Sequence, residues 1–98
     1  MVRADSAIGR AKANLAIVRY KEKNWDEVIN LTTEAIKVIP YNSSPYVTRA
    51  GAYINTGRYL EALEDSNTAI GINPNEGLGY NNRGLANEFL NNSGNVAP

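Results

Sequence analysis

The residues best equipped for chemistry are three carboxylates, Glu61, Glu64 and Asp65, which share one helix face by spacing. Such a group can bind a cation or divide into an acid and a base. The plainer reading is a solvated face. Arg58, one turn before Glu61, then serves as an ion-pair partner worth about 0.2–0.5 kcal/mol. Nothing nearby signals the burial or opposing charge that tunes a catalytic pKa, so the plainer reading is preferred. The chain has no His and no Cys. That removes the commonest general base, the commonest metal ligand and the thiolate nucleophile. No phosphate-binding loop stands in for them. We therefore expect no enzymatic activity, no metal site and no cofactor.

The totals narrow the partners. Ten basic residues balance ten acidic ones, which gives no electrostatic footprint for a nucleic-acid backbone. No apolar run approaches the ~18 residues of a membrane span. The opening "MVRADSAIGRAK" lacks the apolar block of a secretory leader. With Cys also absent, a cytoplasmic location is expected. The hydrophobic fraction of 43% over 98 residues suits a globular chain rather than a disordered one.

Positioning falls to helices. Apolar residues recur at helical spacing in segments near 6–23, 25–39, 44–56, 59–72 and 79–91, and no strand pattern competes. "NWDE" at 24–27 reads as a capping box. In "SSPY", Ser44 reads as an N-cap and Pro45 as the first helical residue. Gly57 suits a left-handed helix end. The closing "NNSGNVAP" reads as loop. The segments also repeat. At an offset of 34 residues, Glu27 falls on Glu61, Ala35 on Ala69, Ile36 on Ile70 and Pro40 on Pro74. Tyr46 falls on Tyr80 and Arg49 on Arg83, while Ala16, Ala50 and Gly84 are all small at equivalent places.

A helix–turn–helix of this period resembles the tetratricopeptide repeat family. The second unit, 43–76, carries Tyr46, Ala50, Tyr53, Gly57, Tyr59, Ala62, Ala69 and Pro74 at the family's aromatic, small, Gly and Pro positions. The first unit, 9–42, keeps Leu15, Ala16, Trp25, Ala35 and Pro40 but has Lys23 at the turn Gly. A partial third unit spans 77–92, with a tail at 93–98. The resemblance implies one all-α domain, a right-handed superhelical stack of antiparallel helix pairs. It also implies a concave groove for a peptide or partner protein, lined by the first helix of each unit. By position its floor and rim are Ile17, Tyr20, Lys21, Val47, Gly51, Ile54, Asn55, Asn81, Leu85 and Glu88. Most of these are apolar, so an apolar groove is expected.

Some relatives clamp the carboxylate of a chaperone C-terminus with Lys, Asn and Arg. The matching positions here are Ala13, Ile17, Thr48, Leu78 and Asn82. None supplies a cation, so a chaperone carboxylate clamp is not expected. The alternative keeps the fold and changes the role. Leu78, Phe89 and Leu90 then form an apolar face through which copies of the chain self-associate, or which marks a fragment of a longer repeat scaffold.

Overall fold

The computed structural model describes residues 2–94. Five helices follow one another: α1 (Val2–Lys21), α2 (Trp25–Val38), α3 (Ser43–Asn55), α4 (Tyr59–Ile72) and α5 (Gly77–Gly94). Among the described residues there is no strand. Short turns fold α1 back on α2 and α3 back on α4, while α3 also touches α1, α2 and α5. The result is an elongated stack, 55 × 28 × 18 Å. The architecture is the all-α helical repeat expected from the 34-residue offset.

The ends of the helices depart from the local signals. α5 begins at Gly77 and runs to Gly94, so part of the expected loop at 91–98 is helical; residues 95–98 lie outside those described. Asn24 caps α2 without the expected bond to the backbone; its Nδ2 donates instead to Glu27 Oε1 at 2.9 Å. α3 is capped by Asn42, whose side chain accepts from the Ser44 amide at 2.9 Å, and not by Ser44. Two such acceptors competed for one helix start. The Asn side chain reaches two residues onward more readily than Ser. Pro45 still falls in the first turn, where an amide has no partner within the helix.

The two complete turns use one conformation. Gly57 has φ +79° and Lys23, 34 residues earlier, has φ +62°. Lys23 therefore adopts the left-handed state at a position where glycine would be free of strain. Its amide and that of Asn24 bond back to the Tyr20 and Arg19 carbonyls at 2.9 and 3.0 Å, closing α1.

The core follows the same register. Ala16 and Ala50 are fully buried, as are Ala35 with Ala69 and Ala52 with Ala86. Thr32 donates to the Val28 carbonyl at 2.7 Å, and Ser66, its counterpart, to the Ala62 carbonyl at 2.8 Å. Each buried hydroxyl is thus satisfied inside its own helix. Ala50 clusters with Tyr53, Ala62 and Ala86, with Ile54 packed alongside. Ala50→Leu should cost about 1–3 kcal/mol by overpacking. A thermal melt followed by circular dichroism tests this, and an unchanged midpoint would refute the close approach of α3 and α4.

Candidate functional site

The three carboxylates that opened the search separate in space. Glu61 pairs with Arg58 at 3.1 Å on the surface, as spacing suggested, and Glu64 is exposed. Asp65 is not on a solvated face. It is buried and accepts from Arg49 Nε at 2.7 Å and from Arg49 Nη2 at 2.9 Å. Arg49 Nη1 donates to Thr33 Oγ1 at 3.0 Å, so one guanidinium ties α3 to both α2 and α4. The Asp65 hydrogen bond outweighs burial and holds Arg49 firmly protonated. The reading failed because Arg49 lies 16 residues away on another helix, outside any local spacing rule. This pair is structural. Among the described residues no three His, Cys, Asp or Glu side chains gather as metal ligands. No helix among them is long and apolar enough to cross a membrane.

The concave feature lies elsewhere. A cavity of about 300 Å³ opens between α1, α3 and the start of α5. Ile17 and Tyr20 line it from α1, Ser44, Val47 and Thr48 from α3, and Glu76, Leu78 and Asn82 from the third unit. Three residues expected in the groove stand there: Ile17, Tyr20 and Val47. So does Leu78, which was expected to serve self-association. Asn82 Nδ2 donates to the Val47 carbonyl at 3.1 Å and ties α5 to α3 across the cavity. Its second N–H and its carbonyl stay available to a ligand. Thr48 donates to the Ser44 carbonyl at 3.1 Å, which leaves its oxygen free to accept. Glu76 is the sole charged side chain in the lining; its Oε1 accepts from Ser43 Oγ at 3.1 Å.

Other expected groove residues serve the packing. Gly51 is not open floor. A Cβ there would stand 2.6 Å from the Tyr20 hydroxyl, so the glycine is the seat of that ring. Tyr20 is held from its other side by an edge-on contact with Trp25, centroids 4.9 Å apart. Asn55 donates to the Gly51 carbonyl at 2.8 Å. Ile54 packs on the Ala50 cluster, so a charge there would unsettle the fold along with any groove. Lys21, Asn81, Leu85 and Glu88 are exposed and lie outside the cavity lining. Phe89 stacks flat on Tyr59 at 4.7 Å, and Leu90 is half-buried. Ser44, Thr48, Glu76 and Asn82 were absent from the expected groove. Thr48 and Asn82 share one register position, which was the available signal.

No protein-family model matches the chain. It is 46% identical over 63 residues to Translocon at the outer membrane of chloroplasts 64 of Pisum sativum, covering 64% of the chain and 10% of that protein. It is 31% identical over 88 residues to the TPR repeat-containing thioredoxin TDX of Arabidopsis thaliana, covering 90% and 22%. Among solved structures, the Arabidopsis OM64 TPR domain superposes with a TM-score of 0.85 at 29% identity, covering 88% of this chain and 71% of that one. The chain belongs to the tetratricopeptide repeat family. This tetratricopeptide repeat chain spans only 10% and 18% of the first two curated relatives it matches.

One more neighbour bears on the cavity. The first TPR of Spaghetti (RPAP3), bound to the HSP90 peptide SRMEEVD, superposes with a TM-score of 0.84 at 27% identity, covering 87% of this chain and 68% of that one. Relatives include Hsp70-Hsp90 organizing protein 3 of Arabidopsis thaliana, 31% identical over 71 residues, covering 72% of this chain and 13% of that protein. These findings overturn the expectation that excluded a chaperone carboxylate clamp. That exclusion weighed formal charge at five separate positions. In space four of the five, Ile17, Thr48, Leu78 and Asn82, line one cavity, and the fifth, Ala13, is buried.

Proposed function

We propose that the chain is a protein-binding module that holds the C-terminal segment of a chaperone-type peptide in the cavity between α1, α3 and α5. The observation that carries this reading is the convergence of those four clamp positions on one cavity. Ile17, Val47 and Leu78 give the peptide apolar surface to cover. The second Asn82 N–H and the Tyr20 hydroxyl are donors for a terminal carboxylate, and hydrogen bonds to an ionised acceptor are the strong ones. Preformed side-chain donors replace the missing cations of the clamp. The binding is non-catalytic and needs no cofactor.

Glu76 sets the affinity. An anionic side chain on the wall opposes an acidic peptide, so Glu76→Gln should tighten SRMEEVD binding. The expected gain is roughly threefold to tenfold, equivalent to about 0.7–1.4 kcal/mol. Gln keeps the acceptor that Ser43 uses. Calorimetric titration with SRMEEVD, and with the same peptide amidated at its C-terminus, tests both points. The free acid should bind more tightly than the amide. Equal affinities, or no binding, would remove the carboxylate from this cavity.

A further inference from the structure

One carboxylate lines the cavity with no cation to answer it. The walls come from α1, α3 and the start of α5, and Glu76 carries their one charge. The backbone fixes where that charge stands. The Glu76 amide donates to the Asn73 carbonyl at 3.0 Å, and the Glu76 carbonyl accepts from the Gly79 amide at 3.0 Å. The residue is half-buried, and Ser43 Oγ, 33 residues away, donates to its Oε1 at 3.1 Å. Among the described residues no Lys or Arg pairs with it. A carboxylate has room for about four donors, so one hydroxyl leaves most of its accepting capacity open. The register sets this placement apart. Asn42, 34 residues before Glu76, turns its side chain onto the Ser44 amide and caps α3. Glu76 reaches across to Ser43 instead and brings a negative charge to the cavity wall.

An apolar wall with one fixed carboxylate fits an amphipathic cation. Lys and Arg lay their aliphatic stems along apolar surface and keep the charged head at its edge. Ile17, Val47 and Leu78 supply the surface, and Glu76 supplies the counter-charge. A glutamate side chain finds neither complement there. No Lys or Arg of the lining meets it, and Glu76 repels it. We propose that the cavity selects C-terminal segments that carry Lys or Arg where SRMEEVD carries glutamate. The selection rests on the seating of the terminal carboxylate in that cavity, and it names the class of ligand the cavity favours. Complementary charge at one edge decides between ligands that are otherwise alike, and a wall partly closed to water screens that charge less than an open surface does.

Three peptides test this by calorimetric titration on the intact chain: SRMEEVD, SRMQQVD and SRMKKVD, each as free acid and as amide. Affinity should rise in that order, with roughly tenfold or more between the first and the last. On Glu76→Gln the order should flatten to within about twofold, and on Glu76→Lys it should reverse. Circular dichroism checks that each variant keeps the native helical spectrum. If Glu76→Lys does not fold, Glu76→Gln carries the test alone. Three equal affinities on the parent, with the free acids still preferred to the amides, would overturn the charge selection and leave the carboxylate seating intact. A lysine preference that survives Glu76→Gln unchanged would also overturn it, because the selection would then come from another group. SRMKKVD binding equally as acid and amide, yet weakened by Glu76→Gln, would keep the cation at Glu76 and remove the carboxylate seating on which the selection rests. No binding of any peptide would overturn both. A peptide-free dimer that SRMKKVD dissociates would give the cavity to a second copy and overturn the proposal as well.

Discussion

Asp65→Ala is expected to destabilise the fold by about 3–5 kcal/mol, the range for breaking a buried ion pair from one side. The two side chains are 7% and 17% exposed, for Asp65 and Arg49 respectively, so water cannot replace what the mutation removes. Arg49 would keep its bond to Thr33 and lose both bonds to the carboxylate. A small domain has only about 5–15 kcal/mol in all, and each kcal/mol moves its melting point by roughly 4–8 °C. The loss should therefore be plain in a urea or thermal transition. The first unit supplies the control. At the same two positions it carries Leu15 and Leu31. The double variant Arg49→Leu with Asp65→Leu removes both charges together and copies that arrangement. It should lie within about 1 kcal/mol of the parent or exceed it, since apolar replacements of buried pairs are often neutral or stabilising. If the double variant is as weak as the single one, the pair contributes more than its own neutralisation, and the repeat register is a poor guide to its replacement.

The same pair shows what could be read in advance. The offset was legible because its markers are residues with one steric job. Ala16 and Ala50 sit where two backbones approach, and Pro40 and Pro74 follow apolar helical runs that they cannot extend. At Lys23 the turn was legible from the register alone, because a left-handed φ is invisible in a lysine and obvious at Gly57. Asp65 was misjudged because spacing within α4 cannot report a partner on α3. The cavity divided along the same line. Ile17, Tyr20 and Val47 announce themselves as an apolar stripe. Ser44 and Thr48 look like cap and surface residues in a helix's first turns, and Asn82 like one of many asparagines. Only folding shows that Asn82 reaches the Val47 carbonyl. The exclusion of a clamp erred in the same way, by weighing side chains one at a time and not the space they enclose together.

Ile39→Ala is the second large effect, expected at about 2–5 kcal/mol. Ile39 is a turn residue with no exposure to water. It is completely buried although it lies outside α2 and directly before Pro40. The proline explains this, because it drives the preceding residue out of the helical region; Ile39 sits at φ −130°. The side chain then points back into α1, clusters with Ala13 and Ala35, and lies over Gly9. A Cβ on Gly9 would stand 3.1 Å from one Ile39 carbon, so truncation leaves a hole that neither helix can fill without shifting. The second unit has Asn73 at this register position, exposed before Pro74. The anchor therefore belongs to the first helix pair alone. Repeats couple mainly to their neighbours, so hydrogen exchange should quicken first in α1 and α2 and later in α3 and α4. A loss below about 1 kcal/mol would contradict the packing. Uniform acceleration across all five helices would mean that the stack unfolds as one unit, with the first pair no more separable than the rest.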